Sequence, residues 1–280
     1  MANETAVEKR KSKEERRAEL ITQASDIEKL MSEYSLEKLA SATQMQQTIM
    51  LAEGMTLLKR AFTDELIKGV FMPLMGSKLG FRTDRDTKPE NEQYGIAAVR
   101  ECMIEAMLRG ARPVGNEVNL IADGCYLTRE HFERRVREFP GVTNIELRPG
   151  APHMLGSEAA LVPYRVKLLL HGEVVEVVRD LVRNADQSTS DERIPVRVNN
   201  RMGADGILGK AQRKILKQVF ERISGISPSL LPDGDVLDTT AEVVSETTGP
   251  AKAKGTGVDD VVARHTKKDE PAGREPGQDG

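Results

Sequence analysis

An α+β fold is what this sequence predicts: a helical N-terminal half, a small antiparallel sheet flanked by helices, and a disordered acidic tail. Apolar residues recur at helical spacing from Leu20 to Leu108, change to a period of two between Asn116 and Arg183, and return to helical spacing as far as Ile223. Beyond Gly225 the chain turns to Pro, Gly, Asp, Thr and Lys with scattered valines, too few apolar groups to order a segment. The 280 residues thus divide into a charged flexible start (1–19), a core (20–226) and a tail (227–280).

Within the start, Lys9, Arg10, Lys11, Lys13, Glu14, Glu15, Arg16 and Arg17 mix signs densely and predict a frayed or partner-dependent helix, with order beginning near Leu20. Ile21, Ala24, Ile27 and Leu30 then form a narrow stripe that fits either a neighbouring subunit or the chain's own domain. A second periodic run extends from Met45 to Phe62. A third helix starts at the N-cap Thr63, carries Asp64 and Glu65 in its first turn, and runs to about Met75, with a kink or stop at Pro73. Gly76 to Gln93 reads as a long polar loop free to move or to meet a ligand. Helix resumes at Ile96 and closes at Gly110 and Pro113.

Asn116–Ile121 and Cys125–Thr128 read as a hairpin around Ala122-Asp123-Gly124, and Thr128 reads as the cap of a helix through Phe139 that stops at Pro140-Gly141. Val142–Arg148, Ala159–Leu170 and Glu173–Arg183 read as strands. Along Tyr164–Leu170, Val166, Leu168 and Leu170 alternate with Arg165 and Lys167, so one face of the sheet is expected to be basic. An extended piece at 194–198 leads through Asn199, Asn200 and Arg201 into a last helix whose apolar side includes Ala211, Ile215, Leu216, Val219 and Phe220. Lys210, Lys214 and Lys217 fall at i, i+4 and i+7 on its other side with Arg213 beside them, which predicts a solvated basic face.

The net charge of −3 conceals a gradient: Lys/Arg against Asp/Glu stand at 15 to 16 in residues 1–93, 20 to 17 in 94–226 and 6 to 11 in 227–280. Arg193–Arg222 alone holds eight basic residues against Asp205 and Glu221, the kind of excess an anionic partner meets. Several chemistries lack support. Gly203–Lys210, GADGILGK, is one residue too long for a phosphate loop and carries Ala211 where magnesium needs Ser or Thr. His131, His153, His171 and His265 have no metal-ligand spacing and suit helix surfaces or turns, and Cys102 and Cys125 read as buried thiols rather than a disulfide or zinc site. No catalytic constellation or cofactor motif is found; a nuclease reading would rest on Glu173 and Glu176, for which polar strand positions are the simpler account. No apolar run reaches the length of a membrane span and the start has no secretory apolar core, so the expected location is cytoplasmic.

What remains is electrostatic. Arg165, Lys167, Arg197, Asn199, Asn200, Arg201, Lys210, Arg213, Lys214 and Lys217 are the candidate single-stranded DNA contacts, the cations to phosphates and the Asn amides to phosphate or sugar. With no Trp and 4% aromatic residues, stacked platforms for bases are not expected, and Tyr126 and Tyr164 read as core or sheet residues.

Val99–Val142, VRECMIEAMLRGARPVGNEVNLIADGCYLTREHFERRVREFPGV, resembles the RecT/Red beta superfamily of phage single-strand annealing proteins in its small-residue helix, following Gly and Pro, hairpin entry, and helix ending in Pro-Gly. Ala160-Leu-Val-Pro-Tyr164 is similar to that family's strand with a VPY core, and Gly203–Gly225 to its late basic helix; the family's Gly-Tyr-Lys/Arg-Gly step is not found. The likeness covers about residues 94–226. It implies ATP-independent binding and annealing of complementary single strands in recombination and DNA repair, by a homo-oligomer (ring or helical filament). The acidic tail reads either as a plain solubilising segment or, through Leu230-Leu231, Val236-Leu237 and Val261-Val262, as an anchor for a phage exonuclease or the host single-strand binding protein. The alternatives are a non-catalytic scaffolding oligomer and a metal-dependent nuclease.

Overall fold

The computed structural model describes residues 13–184, 187–199 and 202–226, all within the first of two units, Met1–Thr240 and Ala241–Gly280. The predicted acidic tail, and residues 1–12 of the charged start, lie outside them. The architecture is α+β, with helices first, small sheets next and a long helix last.

Helix α1 (Lys13–Glu33) begins upstream of the Leu20 expected from sequence. Short α2 (Leu36–Ala40) leads to α3 (Gln44–Ala61), which starts with a reciprocal cap: Gln46 N donates to Thr43 Oγ1 at 3.4 Å and Thr43 N to Gln46 Oε1 at 2.9 Å. Helices α1 and α3 pack together, with Gln23 Nε2 donating to Ala61 O at 2.7 Å. The α1 stripe therefore divides: Ile27 and Leu30 join the core while Ile21 and Ala24 remain exposed. Thr63 caps the next segment as predicted, but the helix does not run on evenly to Met75. It passes from α4 (Asp64–Leu66) into a π turn at Ile67–Phe71 and a 3-10 turn at Met72–Leu74, because Pro73 has no amide to donate and its ring crowds the carbonyl four residues back.

The polar stretch 76–93 is tethered rather than loose. It contains strand β1 (Arg82–Thr83), parallel to β2 (Val118–Ile121), and the fully buried Phe81. Asp84 accepts from Tyr94 OH at 2.8 Å and from Ala122 N at 3.2 Å, and Asp86 accepts from Thr83 Oγ1 at 2.8 Å. The Asp84 bonds also brace the hairpin of β2 and β3 (Gly124–Leu127), whose two-residue turn puts Ala122 at φ +49 and Asp123 at φ +62. Such left-handed positions cost Ala about 1 kcal/mol, and the bond from Asp123 N to Tyr94 OH at 3.1 Å helps hold them. Helix α5 (Ile96–Leu108) packs against this sheet. In α6 (Arg129–Arg137), Thr128 stands at the N-cap but its hydroxyl donates to Asn116 O at 2.7 Å instead of capping, and the helix ends before Phe139.

Eight further strands follow: β4 (Val142–Pro149), β5 (His153–Leu155), β6 (Ala159–Val162), β7 (Tyr164–Leu170), β8 (Glu173–Arg179), β9 (Leu181–Arg183), β10 (Thr189–Asp191) and β11 (Ile194–Arg197). Pro163 divides what reads as one strand, Ala159–Leu170, into β6 and β7. The pairing order β4-β7-β8 and β5-β6-β11 makes the two three-stranded sheets successive halves of one bent ribbon, with Gly150 N donating to Pro163 O at 2.8 Å across the bend. Strand β8 and, after the β9–β10 hairpin, β11 line one edge; β4 and β5 line the other. Ala160, Val162, Tyr164, Val166 and Leu168 all face inward, where α6 and α7 (Ala204–Ser224) cover them.

Candidate nucleic-acid interface

Helix α7 is a central element of the core. Its apolar side is buried as expected, at Ala211, Ile215, Leu216, Val219 and Phe220, but Arg213 and Lys217 are buried too, at 4% and 8% exposure. The predicted solvated basic face is thereby corrected. The Arg213 guanidinium stacks over the Tyr126 ring, 4.4 Å from its centre, and Lys217 Nζ lies 3.6 Å from Glu221 Oε1. Lys210 and Lys214 are half-buried and reach sideways to the ribbon edge: Lys210 Nζ donates to Arg197 O at 3.0 Å and Lys214 Nζ to Pro195 O at 3.1 Å. In the last turn of the helix, Arg222 Nη1 donates to Glu176 O at 2.9 Å. Three cations of α7 thus cap carbonyls along the β11 and β8 edge, where Pro195, with no amide to offer, is also tolerated. Gly203 is the N-cap of α7 and residues 204–210 are helical, so GADGILGK forms no phosphate-wrapping loop.

The solvent side of the ribbon is built by strand alternation. Arg165 and Lys167 of β7 point outward, roughly 7 Å apart along the strand. Register sets Arg148 of β4 opposite Arg165, and Glu146 of β4 and Glu176 of β8 on either side of Lys167. Arg197, paired with Ala159 on the same outward row, lies about 20 Å further along. Five of these side chains, Glu146, Arg148, Arg165, Lys167 and Glu176, surround a shallow depression of about 160 Å³. Arg148 Nη2 sits 2.9 Å from Glu146 Oε2 and Arg165 Nε 3.5 Å from Glu176 Oε1. The face expected to be basic is therefore mixed, with cations in excess.

Of the residues predicted from sequence, Arg165 and Lys167 come together on this face, Arg197 lies beyond the bend with Lys210 and Lys214 along its edge, and Arg213 and Lys217 are separated from it inside the core. Asn199 is exposed beside the end of β11; Asn200 and Arg201 lie outside the described residues. Arg148, Glu146 and Glu176 were not singled out by sequence as part of this face, because their membership follows from inter-strand register. Glu173 and Glu176, three apart on β8, point to opposite faces and cannot act as a carboxylate pair.

A separate charge cluster joins the start of β2 to α6. Glu117 is buried, accepts from Arg112 N at 3.0 Å and from Arg134 Nη2 at 2.7 Å, and has His131 Nδ1 at 3.6 Å. Burial alone would raise its carboxyl pKa, but His131, Arg134 and the Arg112 amide together bring it down to about 2. His131 is fully buried against Phe132, not on a helix surface, and burial lowers its pKa. Arg134 Nη2 also donates to Gly110 O at 2.7 Å, tying the end of α5 to α6. Cys102 and Cys125 are buried and free, and their mutual hydrogen bond and burial push the Cys125 thiol up.

Among the described residues, no group of three or more His, Cys, Asp or Glu side chains is arranged to hold a metal ion, and no helix is long and apolar enough to cross a membrane. Compared with models of known protein families, with characterised proteins and with solved structures, the chain matches none.

Proposed function

We propose that the chain binds single-stranded DNA along the outer side of the sheet ribbon and anneals complementary strands without ATP, as a phage-type recombination protein of the cytoplasm. The observation that carries this reading is the cluster of Arg148, Arg165 and Lys167 on the solvent side of the ribbon, with Arg197 further along beyond the bend and Tyr164 turned to the buried side. Cations there neutralise backbone phosphates so that two like-charged strands can approach. Contacts made to phosphate rather than to base edges leave those edges free to pair, and duplex formation supplies the free energy. The protein makes and breaks no bond. The resemblance of residues 94–226 to annealing proteins supports the same reading and adds a homo-oligomer, ring or helical filament. Recruitment of an exonuclease or a single-strand binding protein by residues 227–280 is part of the same proposal and rests on their acidic charge and short apolar spots.

A scaffolding oligomer is the second reading, favoured by exposed Met154, Leu155, Leu181 and Val182 at 46%, 50%, 53% and 36% on strands of the same region. One gel assay separates these readings and tests for a nuclease. Labelled complementary strands, with and without ATP and magnesium, are expected to anneal in all conditions without degradation. Arg165→Glu with Lys167→Glu should slow annealing about tenfold at low salt. Assembly without salt-sensitive DNA binding favours the scaffold, and metal-dependent loss of label favours the nuclease.

A further inference from the structure

We infer that Glu146 and Glu176 set the affinity of this face: they are built-in anions that occupy Arg148 and Arg165 and that a backbone phosphate must displace. The inference rests on the proposed binding of single-stranded DNA to the ribbon. Both carboxylates line the same depression as the three cations, and each contacts a different arginine, at 2.9 Å for Glu146 with Arg148 and 3.5 Å for Glu176 with Arg165. Register makes Glu146, Lys167 and Glu176 a row across three strands, so the central ammonium is flanked by negative charge on both sides.

Exposed ion pairs of this kind contribute little to stability, so holding the fold together is a weak reason for two of them inside one anion-sized hollow. Their effect on a ligand is larger. A phosphate that takes Arg165 must leave Glu176 beside it, unpaired and repelling, so each contact is an exchange of one anion for another rather than a net gain. Binding becomes weaker and less dependent on salt, and a bound strand can shift or leave, as strand alignment during annealing requires. A face that merely accumulated cations would hold the first strand in whatever register it arrived.

The test is anisotropy of labelled oligothymidine over a series of salt concentrations, with thermal melting as the check on folding. Glu146→Gln and Glu176→Gln should each tighten binding about threefold to tenfold at low salt and steepen the logarithmic salt dependence by about 0.7, the increment for one further phosphate on a single strand. Glu28→Gln, at an exposed position of α1, makes the same change in net charge and should leave affinity unaltered. Equal tightening by Glu28→Gln would assign the effect to net charge and overturn the inference. Weakening by Arg165→Glu without tightening by the Gln variants would also overturn it while leaving the proposed function intact. Wild-type protein that does not bind, or binding indifferent to Arg165→Glu, would remove this face as the site, and the proposed function with it.

Discussion

Arg165 and Lys167 on β7 and Arg213 and Lys217 on α7 belong to opposite sides of one sheet-and-helix sandwich; the first pair meets water and the second is buried. In sequence the four look alike, basic residues interleaved with aliphatic ones. They differ because β7 is covered on one face only, so alternation sends every second side chain to solvent, whereas α7 is covered nearly all round by the ribbon, α6 and the β2–β3 hairpin. A cation on such a helix must find a ring, a carbonyl or a carboxylate. Arg213 finds Tyr126, Lys217 finds Glu221, and Lys210 and Lys214 find the edge of β11. The basic helix secures the sheet, and the sheet presents the charge.

Reversing charge on each side gives the sharpest break in that comparison. Arg213→Glu leaves a carboxylate buried against Tyr126 and should cost more than about 3 kcal/mol in urea unfolding. Lys167→Glu, on the open face between Glu146 and Glu176, should cost only about 1 kcal/mol. Equal destabilisation by the two would show that α7 and the outer face are not distinct environments.

The buried carboxylate of Glu117 sharpens the contrast with exposed Glu146 and Glu176. Its pKa in the folded chain is about 2 against an ordinary 4.5, so its stabilisation is fully present above 4.5 and disappears as pH falls through about 2, roughly 3 kcal/mol in all. His131 acts in the same direction at higher pH. Its folded pKa lies below the ordinary 6.5, so stability begins to fall once the pH drops below 6.5, where the unfolded chain takes the proton first. Urea midpoints should already decline between about pH 7 and 5.5, above the range in which Glu117 titrates, and His131→Phe should flatten that decline.

The smallest effect belongs to the capped edge. Lys214→Ala uncovers the Pro195 carbonyl and should lower stability by about 1 kcal/mol or less, since water can replace the ammonium. Its larger consequence is association: light scattering should show more concentration-dependent assembly for Lys210→Ala with Lys214→Ala than for the parent, because an uncovered edge is a template for another strand. No change in assembly would mean that Pro195 and the bend protect the edge without the lysines.

Periodicity, together with turn and stop residues such as Gly110, Pro113 and Ala122-Asp123-Gly124, determined the α+β class, the second helix near 45–62, the helix from Ile96, the β2–β3 hairpin, and the inward set Val166 and Leu168, because each follows from local geometry over a few residues. Candidate Arg165 and Lys167 were legible for the same reason. Pro73 announced a disturbance in the third helix, but not that the chain would pass through a π turn and a 3-10 turn after Leu66. Where α1 starts and how Asp84 and Tyr94 tether 76–93 were not legible either, since each depends on contacts distant in sequence.

Only the tertiary structure decided which cations face solvent. Helical spacing shows that Lys210, Arg213, Lys214 and Lys217 avoid the main apolar stripe, but not what packs against the remaining sides of α7. Strand spacing shows that Arg165 and Lys167 share a face, but not that register brings Arg148, Glu146 and Glu176 around them. Burial of a charge and its neighbours across strands are properties of the assembled core, set by residues far away in the chain, and a local pattern carries no information about them.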